Sequence, residues 1–315
     1  NMILQQQQLV PVWGWADKNE NINVTTSWDA KTYQVKVDAN GKWKLAVQTP
    51  SAGGPYTIEV SQSTEKIVIN NVLIGEVWLC SGQSNMEMPL KGFSGQPVRN
   101  GNDIIVKSSN SNIRLITVPR ASVLVPQENF EGKWEVAAPQ TTSNFSATAW
   151  YFGTLLQQVL QVPIGLIHVS YGGSNIEAWM NEEMLKDFGG VSLPKKKEDI
   201  KEPNRTPTVL YNGMLSPVIG YGIKGCIWYQ GESNYERPEQ YKDLMKKMVG
   251  SWRNLWGQGE FPFYYAQIAP FNYAQFHPKE IVEKYNSAYV REAQFKASKE
   301  IPNSGMAVLM DIGEE

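Results

Sequence analysis

Three polar, glycine-containing segments carry the residue types of a reactive site: Gly82-Gln83-Ser84-Asn85-Met86, Gly172-Gly173-Ser174-Asn175 and Gln230-Gly231-Glu232-Ser233-Asn234. Each follows a short apolar run, as a turn leaving a buried strand does. A serine hydroxyl lifted out of such a turn is placed to attack a carbonyl. Its own backbone N–H, near the start of the next helix, is placed to help hold the oxyanion that forms. Gly173 lets the backbone approach a substrate closely and offers an N–H with no side chain in the way. The Gln230 side-chain amide is a third candidate donor. A nucleophile with convergent donors is the equipment of acyl transfer. A lone Gly-x-Ser is most often only a turn, so it is the recurrence after three hydrophobic strands in chain order that points to a site.

The elements that must position these turns follow an alternating rhythm from Ile74 onward. Val77-Trp78-Leu79-Cys80 reads as a buried strand. Ser146 is a cap for a helix over Ala147 to Leu160, and Pro163 leads into a strand from Ile164 to Val169. A strand over Ile223 to Tyr229 follows. From Glu239 to Trp256, the residues Tyr241, Leu244, Met245, Met248, Trp252, Leu255 and Trp256 recur at helical spacing, which predicts an amphipathic helix. A strand over Phe263 to Ile268, a helix over Asn286 to Lys299 and a strand over Met306 to Met310 complete the series. Strands alternating with helices imply a parallel sheet covered on both faces, with ligands beyond the carboxyl ends of its strands.

The first seventy or so residues differ. Short alternating runs, Leu9 to Trp15, Ile22 to Trp28, Tyr33 to Val37, Trp43 to Val47 and Tyr56 to Val60, are separated by turn signals such as Asn40-Gly41 and Gly53-Gly54-Pro55. This pattern predicts a small β-sandwich over residues 1–72, with structural support or sugar contact as its role, ahead of an α/β domain over residues 73–315.

Composition narrows the function classes. A net charge of −2 over 315 residues is not basic enough to favour nucleic acid. No apolar run reaches the roughly 18 residues of a membrane span. Cys80 and Cys226 sit in apolar runs and read as buried thiols, and no Cys/His spacing suggests a metal site. Lys195-Lys196-Lys197, with the charges up to Arg205, reads as a solvated insertion.

The segment from Ile74 to Met88, Ile-Gly-Glu-Val-Trp-Leu-Cys-Ser-Gly-Gln-Ser-Asn-Met-Glu-Met, resembles the first block of the sialate O-acetylesterase family within the SGNH-type hydrolases, a family related to some acetyl-xylan esterases. Further segments are similar to the same family: Pro163 to Ile167, Gly172-Gly173-Ser174 with Glu177-Ala178-Trp179, Leu210 to Met214, Trp228 to Asn234 and Arg291 to Gln294. The resemblance spans nearly the whole chain. It implies an SGNH-hydrolase-like sheet flanked by helices and a serine acetylesterase acting on an O-acetylated sugar or glycan, without cofactor or metal. Ser84 is then the nucleophile, and Ser84 N–H, Gly173 and Gln230 form the oxyanion hole. Glu232 matches the position that in some relatives orients the catalytic histidine, and Asn234, Arg291 and Trp179 fall on the substrate side. An Arg291 guanidinium suits a carboxylate such as that of a sialic acid, and suits a helix surface equally. The resemblance also implies a secreted or periplasmic protein. A plant-glycan acetylesterase, and a non-catalytic sugar-binding protein on the same scaffold, are the alternatives.

The histidine is the part without a match. The family carries it in an Asp-x-x-His-type block, whereas this chain reads Asp311-Ile312-Gly313-Glu314-Glu315 at its end. His168 lies inside a strand and reads as a core residue, and His277 lies in a loop. The expectation is therefore of a piece of a longer protein whose histidine follows residue 315, with little turnover by the 315 residues alone.

Overall fold

A computed structural model describes residues 1–63, 65–271 and 287–312. The first strands are β1 (Ile3–Gln5), β2 (Leu9–Trp15), β3 (Asn21–Thr26), β4 (Thr32–Lys36), β5 (Lys42–Gln48) and β6 (Gly53–Gln62), followed by a single long strand, β7 (Glu65–Gly82). β2 and β5 form an antiparallel pair, while β3 joins β4 and β6, and β6 joins the start of β7. Alternate residues of these strands, among them Val10, Ile22, Val24, Val47 and Ile58, are buried in one small core. The period-two pattern thus turns one face of each strand inward.

β7 passes through the residue-72 boundary without a break. Its first part pairs with β6 as far as Ile74, and from Glu76 it runs between two new neighbours as the central strand of a second, mostly parallel sheet. The remaining strands are β8 (Asn110–Thr117), β9 (Glu135–Ala137), β10 (Ile164–Ser170), β11 (Gly225–Tyr229), β12 (Phe263–Ala266) and β13 (Ser304–Ala307). They lie in the order β13-β12-β11-β7-β10-β8-β9, parallel except for β9 at the edge. β8 was not anticipated: Arg114 interrupts its apolar run Ile113 to Ile116, and is buried there with Nη2 donating to Asn71 Oδ1 at 3.0 Å.

Helices cover both faces of this sheet. Along β7, Val77 and Leu79 pack toward the helices Pro238–Trp256 and Ser287–Glu300, and Trp78 and Cys80 pack toward the helix Ala147–Leu160. Burial on both faces is why these strands read as continuous apolar runs. Ser146 caps its helix as expected, its Oγ accepting from the Ala149 N–H at 3.1 Å. In the helix Pro238–Trp256, Tyr241, Leu244, Met245, Met248 and Trp252 are fully buried. Leu255, expected on the same stripe, is 42 % exposed, because it falls at the rim of the apolar face where the helix ends. Cys80 and Cys226 are free and buried, and no helix among the described residues is long and apolar enough to cross a membrane.

The register brings the three polar turns together. Ser170 of β10 pairs with Gly82 of β7, and Gly82 pairs on its other side with Tyr229 of β11. The chain therefore leaves all three central strands at one level, and the turns at Ser84, Gly173 and Gln230 share one edge of the sheet.

Candidate active site

Gly82 closes β7 with φ of +143°, and a Cβ there would lie 2.2 Å from the Tyr229 carbonyl oxygen. Glycine is needed because β7 and β11 must stay close while the chain bends toward Ser84. Gln83 then ties the first turn to the third. Its N–H donates to Tyr229 O at 2.8 Å, and its Oε1 accepts from Gly231 N–H at 3.2 Å and Ser233 N–H at 3.4 Å. Ser84 opens a helix of one turn, Ser84–Glu87. A single turn has little dipole of its own, so what it offers an oxyanion is its unclaimed N–H groups.

The second turn is fastened to that helix. Glu87 Oε2 accepts from the Gly172 N–H at 2.7 Å, and its Oε1 is held by Arg120 through Nε at 2.7 Å and Nη2 at 2.6 Å. A Cβ on Gly172 would stand 3.6 Å from Ser84 Cβ, so the Gly172-Gly173 turn lies directly against the serine. Gly173 takes φ of +68°. Among the described residues, the Ser84 hydroxyl, the Ser84 N–H and the Gly173 N–H have no hydrogen-bond partner.

Ser84 opens onto a cleft of about 540 Å³, lined also by Asn85, Arg205, Glu232, Tyr235 and Phe271. Asn85 Nδ2 donates to Glu232 Oε1 at 3.0 Å, and Glu232 Oε2 is buried without a partner among the described residues. Burial pushes the Glu232 carboxyl up to about 7, against the pull of a backbone N–H and the Asn85 amide.

Several residues expected at the site make their hydrogen bonds within the protein. Gln230 is 0 % exposed; its Nε2 donates to Ser174 O at 2.9 Å and Asn234 Oδ1 at 2.8 Å, and its Oε1 accepts from Tyr241 OH at 2.9 Å. Both amide N–H groups are used, so none is turned toward Ser84. Asn234 is buried too, its Oδ1 also accepting from Ile176 N–H and its Nδ2 donating to Glu177 Oε2. Trp179 has no exposed surface; its Nε1 donates to Ser174 Oγ at 2.9 Å and its ring meets Trp228 edge-on. A ring so enclosed has no face left for a sugar. Arg291 donates from Nη1 to Ser287 Oγ at 2.8 Å and is not among the residues lining the cleft.

His168 has its Nε2 2.5 Å from Ser170 Oγ and its Nδ1 3.4 Å from Thr117 Oγ1, and burial holds its pKa down at about 4. It is a core histidine. His277 lies outside the described residues. Among those residues, no group of three or more His, Cys, Asp or Glu is placed to hold a metal ion. The sequence passed over Asn204 and Arg205, which sit in the charge-rich segment but reach the Gly172-Gly173 turn: Asn204 Nδ2 donates to Gly172 O at 2.9 Å and Arg205 Nε to Gly173 O at 3.4 Å.

This serine-centred edge can be compared with known proteins. A model of the carbohydrate esterase family described as sialic acid-specific acetylesterase matches residues 74–311. The chain belongs to that family. It is 27 % identical to the sialate O-acetylesterases of Homo sapiens and Pongo abelii, over 99 % of this chain. It spans 64 % of the length of each of those relatives. A crystal structure described as a novel carbohydrate acetylesterase from Xanthomonas citri superimposes with a TM-score of 0.86 at 34 % identity, covering 99 % of this chain and 67 % of that one.

Proposed function

We propose that the protein is a carbohydrate O-acetylesterase with Ser84 as its nucleophile. The observation that carries this reading is the Ser84 hydroxyl at the carboxyl edge of the sheet, close to the N–H groups of Ser84 and Gly173, all three without a hydrogen-bond partner among the described residues. The family match and the named activities of its relatives support it. Ser84 Oγ attacks the acetyl carbonyl, and the oxyanion accepts from the N–H groups of Ser84 and Gly173. The sugar hydroxyl departs, and water then releases acetate from the serine. The Glu87 carboxylate fixes Gly172 and so aims the next N–H, that of Gly173. A histidine imidazole is the base that takes the serine proton, and Glu232 Oε2, buried and without a partner among the described residues, is the acceptor that would orient its ring N–H. Gln230 acts as a brace between the second and third turns. An O-acetylated sugar is the proposed partner, and by the same resemblance the protein acts outside the cytoplasm, secreted or periplasmic.

Acetate release from O-acetylated sugars and from an aryl acetate tests the proposal in the full-length protein. Loss of the nucleophile in a serine hydrolase costs on the order of 10⁶ in turnover, and Ser84→Ala is expected to lose about that much. A Ser84→Ala protein with a tenth of wild-type activity overturns it. Sugar binding by the wild type without any acetate release favours the non-catalytic alternative.

A further inference from the structure

We infer that Arg120 is a positioning residue for acyl transfer: it sets the Glu87 carboxylate so that the Gly173 N–H is aimed at the oxyanion, and it offsets the negative charge held beside the reacting serine. The inference rests on the reading of Ser84 as nucleophile. Arg120 lies outside all three polar turns. It stands three residues beyond the end of β8, after Val118, whose N–H donates to His168 O of β10 at 2.9 Å. It is not among the described residues lining the cleft, so it acts on the chemistry only through Glu87.

Both contacts that Arg120 makes with Glu87 fall on one oxygen. Nε and Nη2 each donate to Oε1, at 2.7 Å and 2.6 Å, and Oε2 is left for the Gly172 N–H at 2.7 Å. With one oxygen taken twice by charge-assisted bonds, the plane of the carboxyl is fixed and its other oxygen is committed to Gly172. The guanidinium lies over the Tyr171 ring, 4.3 Å from its centroid, and Tyr171 N–H donates to Gly82 O at 3.1 Å. Arg120, Glu87 and Tyr171 thus tie together the exits of β8, β7 and β10, which are neighbours in the sheet, around the Ser84 turn.

Charge gives Arg120 a second task. A Cβ on Gly172 would lie 2.8 Å from Glu87 Oε2 and 3.6 Å from Ser84 Cβ, so the carboxylate is near the place where the oxyanion develops. Glu87 is mostly buried, where a negative charge is weakly screened and opposes a second one nearby. The guanidinium neutralises it at contact distance, while its own half-exposed side chain stays in water.

Turnover of an aryl acetate by the full-length protein tests the inference, because that substrate has no sugar for Arg120 to touch. Loss of a whole oxyanion donor costs about 10²–10³ in kcat. Misaiming one should cost about 10-fold to 100-fold, so Arg120→Met is expected to lower kcat by that factor with KM little changed. Arg120→Lys should recover part of the loss, since an ammonium restores the charge but not the paired donors. The same change is then made in a Glu87→Gln protein. The amide there is neutral, and its oxygen can still accept from Gly172, so adding Arg120→Met should cost less than about 2-fold. An equal loss in both backgrounds, a rise in KM with kcat unchanged, or an Arg120→Met protein as active as wild type overturns the inference. Amide hydrogen exchange followed by NMR reads the same contact without turnover: Arg120→Met should speed exchange of the Gly172 N–H, and an unchanged rate overturns the inference. If the wild type releases no acetate, the Ser84 reading fails, and the exchange rate still decides whether Arg120 positions the turn.

Discussion

Asn85 donates to Glu232 across 147 positions of sequence, with 3.0 Å between Nδ2 and Oε1. The bond joins the residue after Ser84 to the carboxylate that follows β11, so the exits of two adjacent strands are held as one unit. Gln83, bonded to Gly231 and Ser233, makes the same connection from the other side of Ser84. The serine is thus set between two residues that both reach to the third turn.

Glu232 is expected to leave a signature in the pH dependence of stability. Burial raises its carboxyl from the usual 4.5 to about 7. Between these values the unfolded chain releases the proton while the folded chain keeps it, so stability is lost as pH rises from about 4.5 to about 7 and stays lost above. Glu232→Gln cannot ionise and escapes this loss. Its Tm relative to wild type should therefore rise between pH 5 and pH 8. A difference that is constant with pH, or one that falls, contradicts the burial of the carboxylate.

Gly82→Ala should destabilise the fold and distort the serine turn together. A side chain at φ of +143° is strained, and its Cβ would meet the Tyr229 carbonyl oxygen at 2.2 Å. Neither neighbour can yield without parting β7 from β11. The expected cost is about 2–4 kcal/mol in urea unfolding. A loss below about 1 kcal/mol would show that the turn is more accommodating than the register implies.

Gln230→Ala distinguishes a brace from an oxyanion donor. As a brace, its removal leaves Ser174 O and Asn234 Oδ1 short of a buried donor, and stability should fall by about 2–4 kcal/mol. As a donor, its removal would spare stability and lower kcat by ~10²–10³. The second outcome would mean that the amide turns toward Ser84 during the reaction.

Much of this arrangement is visible in the chain because its strands are buried on both faces and its helices on one. Val77 to Cys80, the Ala147–Leu160 helix and the stripe along Pro238–Trp256 all announce themselves by period. The motif at Gly82 to Met86 locates the serine for the same reason: a polar turn contrasts sharply with a buried strand. Motif membership does not say which way a side chain points. Trp179, Asn234 and Gln230 sit in site motifs but turn inward, since the turns themselves need buried donors and acceptors to hold them together. Arg205 is the converse. Its neighbours Lys195, Lys196 and Lys197 are ordinary surface charges, and only the bonds from Asn204 and Arg205 to a turn 32 positions away bring it into the cleft. The length of β7 is hidden because its first half is largely exposed and its second half is buried throughout, so one strand reads as two.

Covalent labelling tests the central claim, that Ser84 is the nucleophile, most directly. An activated serine attacks a fluorophosphonate as it attacks an ester carbonyl, and the adduct persists. The full-length protein, treated with such a reagent and mapped by peptide mass spectrometry, should carry the phosphonyl group on Ser84, and prior incubation with an O-acetylated sugar should slow the labelling. The Ser84→Ala protein should remain unlabelled. Modification at another residue, or equal labelling of Ser84→Ala, would contradict the account.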